Sequence, residues 1–157
     1  LVTCDLRAVV QAVLADVEPA LDSRGQDVHI VIGEQATHVP ADPAKLHDVL
    51  RNLVANASAY APEDSIITVS TRRDGERLAI DVLDAGPGIP DEDRFRVFER
   101  FYRVDKSRAR DPGGTGLGLA IVKYALRRHD AELEIQSRLG HGSTFVCHFP
   151  RDRLALS

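Results

Sequence analysis

Apolar residues recur at helical spacing in three stretches of this chain and at alternate positions in several shorter ones. Leu6, Val9, Val10, Val13, Leu14 and Val17 follow one another every three or four residues. That spacing predicts a helix over 5–24 with Asp5 as its N-cap. Pro19 is expected to kink or interrupt it, and Gly25 to end it. Residues 28–32 read as a short strand. Asp42, with Pro43 one position inside, marks the start of a second helix. Its apolar face is Leu46, Val49, Leu50, Leu53, Val54 and Ala57, and it stops before Pro62. Stretches 65–73 and 77–83 alternate around Asp74-Gly75 and predict a β-hairpin. Residues 89–114 read mostly as loop, with short helical pieces near 95–99. A third long helix is expected over 115–129, and a closing hairpin from 132–138 and 143–149 around Gly140-His141-Gly142. Three helices and about five strands in mixed order suggest an α/β fold with one mixed sheet and the helices packed on one face.

Composition narrows this picture only in places. A chain of 157 residues can bury one real core, and 43% hydrophobic with 28% charged residues argues against disorder. The net charge of −4 argues against general nucleic-acid binding. Cys4 and Cys147 form no CxxC pair, which fits a reducing compartment and offers no metal framework. The apolar runs are far too short to span a bilayer, and no signal peptide is visible. The chain begins at Leu1 rather than Met, so it is expected to be part of a longer protein.

The chemistry lies in three places. Asn52 and Asn56 are four residues apart, so a helix puts them on one face. Asn is a poor helix-interior residue, and two in one helix call for a reason. Amide oxygens could serve Mg²⁺, which takes oxygen ligands and keeps water and phosphate in its shell. Two solvent-facing amides would leave the same pattern. Next, Asp84 ends a predicted strand ahead of Ala85-Gly86-Pro87-Gly88. A carboxylate accepts and does not donate, so it could take a hydrogen bond from the exocyclic amine of adenine, whereas guanine presents an acceptor there. The alternative is an ordinary strand-ending turn. Last, Gly113-Gly114-Thr115-Gly116-Leu117-Gly118 opens the third helix. Free N–H groups at a helix start favour phosphate, and three alternating glycines exceed what a Thr115 cap requires. The spacing is neither a Walker A loop nor a dinucleotide-binding fingerprint. The segment 100–110 before it is basic, with Asp105 its one acid, which suggests charge compensation of a triphosphate; Lys106, Arg108 and Arg110 also suit a solvated loop, and Arg103 is the better candidate for a phosphate contact.

Taken together, these residues resemble the catalytic and ATP-binding domain of bacterial sensor histidine kinases, within the superfamily that includes gyrase, Hsp90 and MutL ATPases. The resemblance runs from about Asp42 to Phe149. Asn52-Leu53-Val54-Ala55-Asn56-Ala57 with Tyr60 matches the N box, and Asp84-Ala85-Gly86-Pro87-Gly88-Ile89-Pro90 the G1 box. Phe98-Glu99-Arg100-Phe101-Tyr102-Arg103 matches the F box, and Gly114 to Gly118 with Leu119 the G2 box. The resemblance implies a two-layer α/β sandwich of the Bergerat type, with ATP and Mg²⁺ as cofactors. It makes Asn56 the principal Mg²⁺ ligand with Asn52 beside it, Asp84 the adenine reader, Tyr60 a neighbour of the base, and Arg103 a group near the terminal phosphates. Gly86, Gly88, Ile89, Gly114, Thr115, Gly116, Leu117, Gly118 and Leu119 would shape the pocket, under a mobile lid from about 104 to 114.

The resemblance also implies γ-phosphoryl transfer to a histidine on the parent's dimerisation domain, then to an aspartate of a cognate response regulator. Residues 1–157 would form a single catalytic domain. The helical dimerisation and phosphoacceptor domain is absent, because none of the six histidines stands in the acceptor context. All six read as structural or surface residues. This part is expected to be monomeric and cytoplasmic, and its parent a homodimer anchored in the cell membrane. Two features depart from the simplest expectation. Ala59 stands where many family members carry Lys or Arg, which raises the alternative of a nucleotide-binding module without catalysis. Asn52 stands where gyrase-type ATPases commonly carry a Glu that activates water, and an amide cannot take that proton. An anti-sigma-factor kinase of the same superfamily is a further alternative; the F box and the Gly-Thr-Gly-Leu-Gly-Leu sequence favour the histidine kinase reading.

Overall fold

The computed structural model describes residues 2–84, 117–138 and 142–150. In chain order the elements are β1 (Val2–Asp5), α1 (Leu6–Ser23), β2 (Asp27–Ile32), β3 (His38–Ala41), α2 (Pro43–Tyr60), β4 (Ile66–Asp74), β5 (Arg77–Asp84), α3 (Leu117–Arg128), β6 (Glu132–Arg138) and β7 (Gly142–Pro150). Five strands form the main sheet in the order β2-β4-β5-β7-β6. The β2–β4 pair is parallel and the other three pairs are antiparallel. The α/β sandwich with three helices and a five-stranded mixed sheet is the architecture the sequence pattern predicts.

Alternation sets which face of the sheet meets the helices. Ile67, Val69, Leu78, Ile80, Val82, Phe145, Cys147 and Phe149 all enter the core cluster, and they occupy every second position of β4, β5 and β7. The helices supply the opposing surface: Leu6, Val10 and Val13 from α1, Leu46, Val49, Leu50 and Leu53 from α2, Val122 and Leu126 from α3. Of the three helices, α2 lies in the middle and packs against both others and against β5.

The helix ends follow their local sequences. Asp5 accepts from the Ala8 N–H at 3.3 Å, and Asp42 accepts from the Ala44 and Lys45 N–H groups at 3.0 and 3.3 Å. At the far end of α1, Gly25 has φ +66° and the N–H groups of Gly25 and Gln26 donate to the carbonyls of Asp22 and Leu21. This is a Schellman closure. The end of α3 repeats it with Asp130 at φ 53° in the glycine's place, as Asp130 and Ala131 donate to Arg127 and Leu126.

Two features differ from the sequence pattern. Of the two outcomes expected at Pro19, interruption does not occur: α1 runs from Leu6 to Ser23 with Pro19 inside it. Pro19 and Ala15, whose carbonyl loses its helical partner, are both exposed, so water can satisfy the freed group, while buried Leu21 anchors the turn that follows. The short strands β1 and β3 pair into a second, two-stranded antiparallel sheet that the sequence pattern did not reveal. Each has four residues, too few to show a period, and β3 contains Pro40, which a strand tolerates where its N–H is not needed.

Candidate functional site on the central helix

Because α2 is enclosed by α1, α3 and the sheet, its last two turns are buried almost all round: Asn56, Ala57, Ser58 and Ala59 are all buried. Two of those four are polar. Ser58 is fully accounted for, donating through Oγ to the Gln26 Oε1 at 2.5 Å. Asn56 is not. It is 5% exposed, and its Nδ2 has no hydrogen-bond partner among the described residues. An unpaired buried donor disfavours folding by about 1–3 kcal/mol, so the amide is poorly explained as a packing group.

One turn earlier, Asn52 is half-buried and donates through Nδ2 to the Asp48 carbonyl at 2.7 Å. That bond orients the amide. With the N–H₂ end tied to the backbone, Oδ1 is the end left to accept or coordinate. Mg²⁺ takes neutral oxygens readily, and an amide oxygen adds no repulsion toward a polyphosphate. The donor set on this face therefore fits Mg²⁺. Among the described residues no group of three or more His, Cys, Asp or Glu side chains is gathered to hold a metal.

Asp84 ends β5, opposite Ser143 of β7. Counting by twos from Leu78, Ile80 and Val82, all in the core cluster, it falls on the helix-facing side of the sheet. It is half-buried, as is Tyr60 at the end of α2, and each makes an interaction of its own. The packing of α2 on β5 thus brings the amide helix to the strand that carries Asp84. Leu119 is 6% exposed and belongs to the core cluster, where it fixes the first turn of α3. Leu117 and Gly118 open α3. Gly86, Gly88, Ile89, Arg103, Gly114, Thr115 and Gly116 lie outside the described residues, as do the helical pieces expected near 95–99.

Residues 41–153 match the family described as histidine kinase-, DNA gyrase B- and HSP90-like ATPases. The chain belongs to this family. Among its relatives is the sensor-like histidine kinase SenX3 of Mycobacterium tuberculosis, 49% identical over 112 residues. The match covers 71% of this chain and 27% of SenX3, so the chain spans about a quarter of the length of the relatives it matches. The catalytic domain of the histidine kinase ThkA, nucleotide-free, has the same fold, with a TM-score of 0.81 at 24% identity over 96% of this chain and 95% of that one. Full-length ShkA in complex with AMPPNP matches at a TM-score of 0.81 and 27% identity, over 96% of this chain and 31% of ShkA.

Residues elsewhere hold the family fold together in ways the sequence did not announce. Buried His129 donates or accepts at both ring nitrogens, reaching the Ala125 carbonyl at 2.7 Å through Nδ1 and the Asp42 N–H at 3.0 Å through Nε2. Because a backbone N–H can only donate, Nε2 is the acceptor and the proton sits on Nδ1. The ring thereby ties the end of α3 to the cap of α2. On the face of the sheet away from the helices, Asp81 is 6% exposed and takes a 2.9 Å hydrogen bond from Arg72, which raises the guanidinium's pKa. Glu134 is held below the usual carboxylate range by hydrogen bonds from Gln136 and then His148. Burial pushes the Cys147 thiol up to about 12, so it is a neutral core group rather than a nucleophile. Position 29 of the chain (His29, in β2), His47 beside Asp16 at 2.9 Å, and His148 all have structural or surface settings, as expected.

Proposed function

We propose that this chain is the catalytic domain of a sensor histidine kinase, one that holds Mg·ATP and presents its γ-phosphoryl group to a histidine on a separate helical domain of a longer protein. The observation that carries the reading is the Asn56 amide, buried at 5% exposure with its donor unpartnered, on a helix whose other buried polar side chain, Ser58, is hydrogen-bonded. Membership of the ATPase family and the AMPPNP complex of ShkA support it.

In this reading Asn56 and Asn52 turn their amide oxygens toward Mg²⁺, which when bound neutralises charge on the phosphates. Asp84 accepts from the adenine amine and so favours adenine over guanine. Tyr60 lies against the base. Arg103 approaches the terminal phosphates, and the backbone of Gly86, Gly88, Gly114, Thr115, Gly116, Leu117 and Gly118, with Ile89 and Leu119, shapes the pocket. Phosphoryl transfer depends mainly on alignment and charge stabilisation, so no general base is needed here; the acceptor histidine attacks directly. Asn52 supports transfer over hydrolysis, because its Nδ2 is committed to Asp48 and an amide oxygen does not take a proton from water at neutral pH.

The domain is 1–157 as a unit, monomeric by itself. The dimerisation helices and the acceptor histidine belong to the rest of the protein, which forms a homodimer, is anchored at the membrane and passes the phosphoryl group to a response regulator. No helix among the described residues is long and apolar enough to cross a membrane. The test is to mix this domain with the parent's helical fragment and γ-labelled Mg·ATP. Acid-labile label on the helical fragment is expected, and Asn56→Ala should remove it. Label appearing only as free phosphate would overturn the kinase reading in favour of an ATPase.

A further inference from the structure

The three helices do not end alike. The carbonyls closing α1 and α3 are taken by the chain's own next residues in Schellman turns. Helix α2 has no such closure: its cap, Ala61, is extended at φ −75° and ψ 151°, Pro62 follows, and no basic residue stands in its last turn. Its exit is closed from outside by a side chain about thirty residues earlier. Gln26, 3% exposed in the turn before β2, points Nε2 at the carbonyls of Ser58, Ala61 and Pro62, at 3.0, 3.3 and 3.1 Å. The Ser58 hydroxyl donates to the same amide's Oε1 at 2.5 Å, which fixes the direction in which the NH₂ faces. Arg24 adds a bond from Nη2 to the Ala61 carbonyl at 2.9 Å. Two backbone bonds, Asp64 N–H to Arg24 and Asp27 N–H to Ser65, hold the two segments together on either side.

The turn closed in this way is the one between Asn56 and Tyr60. We infer that Gln26 is a positioning residue for the nucleotide site, holding the last turn of α2 so that the Asn56 amide and the Tyr60 ring are placed before ligand arrives. The inference rests on the reading of α2 as the nucleotide helix. Loss of the Gln26 amide takes its bonds from the Ser58 carbonyl and hydroxyl, and one of two side-chain bonds from the carbonyls of Ala61 and Pro62, which Arg24 and Ser65 still reach, and so frees the last turn to fray. Fraying at this point displaces Tyr60 directly and loosens Asn56, two residues before Ser58. The consequence is weaker binding rather than slower transfer, because a bound nucleotide re-forms the turn and repays its ordering in affinity.

The variants are Gln26→Met, which keeps the length and apolar body but removes both donors, and Val13→Ala, a core truncation in α1 away from this turn as a control. Asn56→Ala is measured alongside. Affinity is read from titration with a fluorescent ATP analogue and Mg²⁺, rates from transfer to the helical fragment, and order in the last turn from hydrogen exchange at the Ala61 amide. Gln26→Met should weaken the nucleotide Kd about tenfold and raise KM in parallel, leave kcat within about twofold, and speed exchange at Ala61. Val13→Ala should destabilise the fold yet leave Kd within about twofold. Wild-type affinity in Gln26→Met, or an equal loss of affinity in Val13→Ala, would overturn the positioning role; so would a fall in kcat at unchanged KM. The two levels separate through Asn56→Ala. If it loses nucleotide while Gln26→Met keeps it, the positioning role alone falls. If Asn56→Ala binds like wild type, the reading of α2 falls and takes this inference with it.

Discussion

Helices α1 and α2 have the same length, 18 residues, and the same N-cap residue, yet they are built for different surroundings. α1 buries four residues, all apolar, and α2 buries nine, including Asn56 and Ser58. The cause is position. α1 has one helical neighbour, so a stripe along it is covered and the rest meets water. α2 has a helix on each side and the sheet beneath, so polar groups that would be solvated on α1 are enclosed on α2. An enclosed polar group needs a partner or a purpose. Ser58 has Gln26 as its partner. Asn56, with its donor unpartnered, is where purpose is the better explanation.

The comparison is most sharply broken at Asn56 itself. Asn56→Ala should abolish Mg·ATP binding, a loss of a hundredfold or more, while the melting temperature without nucleotide stays the same or rises. An apolar group replacing an unpaired buried donor is close to neutral or favourable. A fall of about 2 kcal/mol in nucleotide-free stability would instead make Asn56 a structural residue. Next in size is the core. Leu53→Ala in α2, a fully buried position, should lower urea-unfolding stability by about 2–5 kcal/mol. Val13→Ala in α1 is equally buried and removes fewer atoms, so roughly half that loss is expected.

The caps give a smaller contrast. Asp42 accepts from two N–H groups and Asp5 from one. Asp42→Ala should therefore lower stability by about 1–2 kcal/mol and Asp5→Ala by about half as much. Equal effects in chemical denaturation would mean that the second bond adds nothing. The smallest effect should come from Pro19→Ala in α1, where restoring a helical N–H at an exposed position should raise the melting temperature by a few degrees at most. The unfolded chain gains freedom at the same site, which offsets part of the gain. No change, or a fall, would show that Pro19 supports α1 through the unfolded state.

The same two helices show how far the sequence could be read. Periodicity placed both and named their core faces, because a helix's apolar stripe is a local record of what covers it. The caps at Asp5 and Asp42 and the turn at Gly25 were legible for the same reason: each is satisfied within a few residues. The continuity of α1 through Pro19 was not legible. It depended on Ala15 and Pro19 facing water, and exposure is a property of the assembled fold. Position 59 shows the limit on the functional side. A family comparison marks Ala59 as a missing basic residue, but the structure buries it at 6% exposure, so a lysine there would begin among packed neighbours.

What the sequence by itself determined is the set of elements, the family, and the residue types that could meet a nucleotide: Asn52, Asn56, Tyr60 and Asp84, with the glycine clusters beyond. Each is a local pattern, and local patterns survive in a linear chain. Only the tertiary structure decided which of these groups is enclosed and what holds it. Asn56 became a buried amide with an unpaired Nδ2 because α1, α3 and β5 close around α2. Gln26, which no pattern singled out, became the cap of that helix because β2 pairs with β4 and brings the turn before it to residues 58–62. Burial and long-range hydrogen bonds arise between segments far apart in the chain, and their energies exist only once those segments meet.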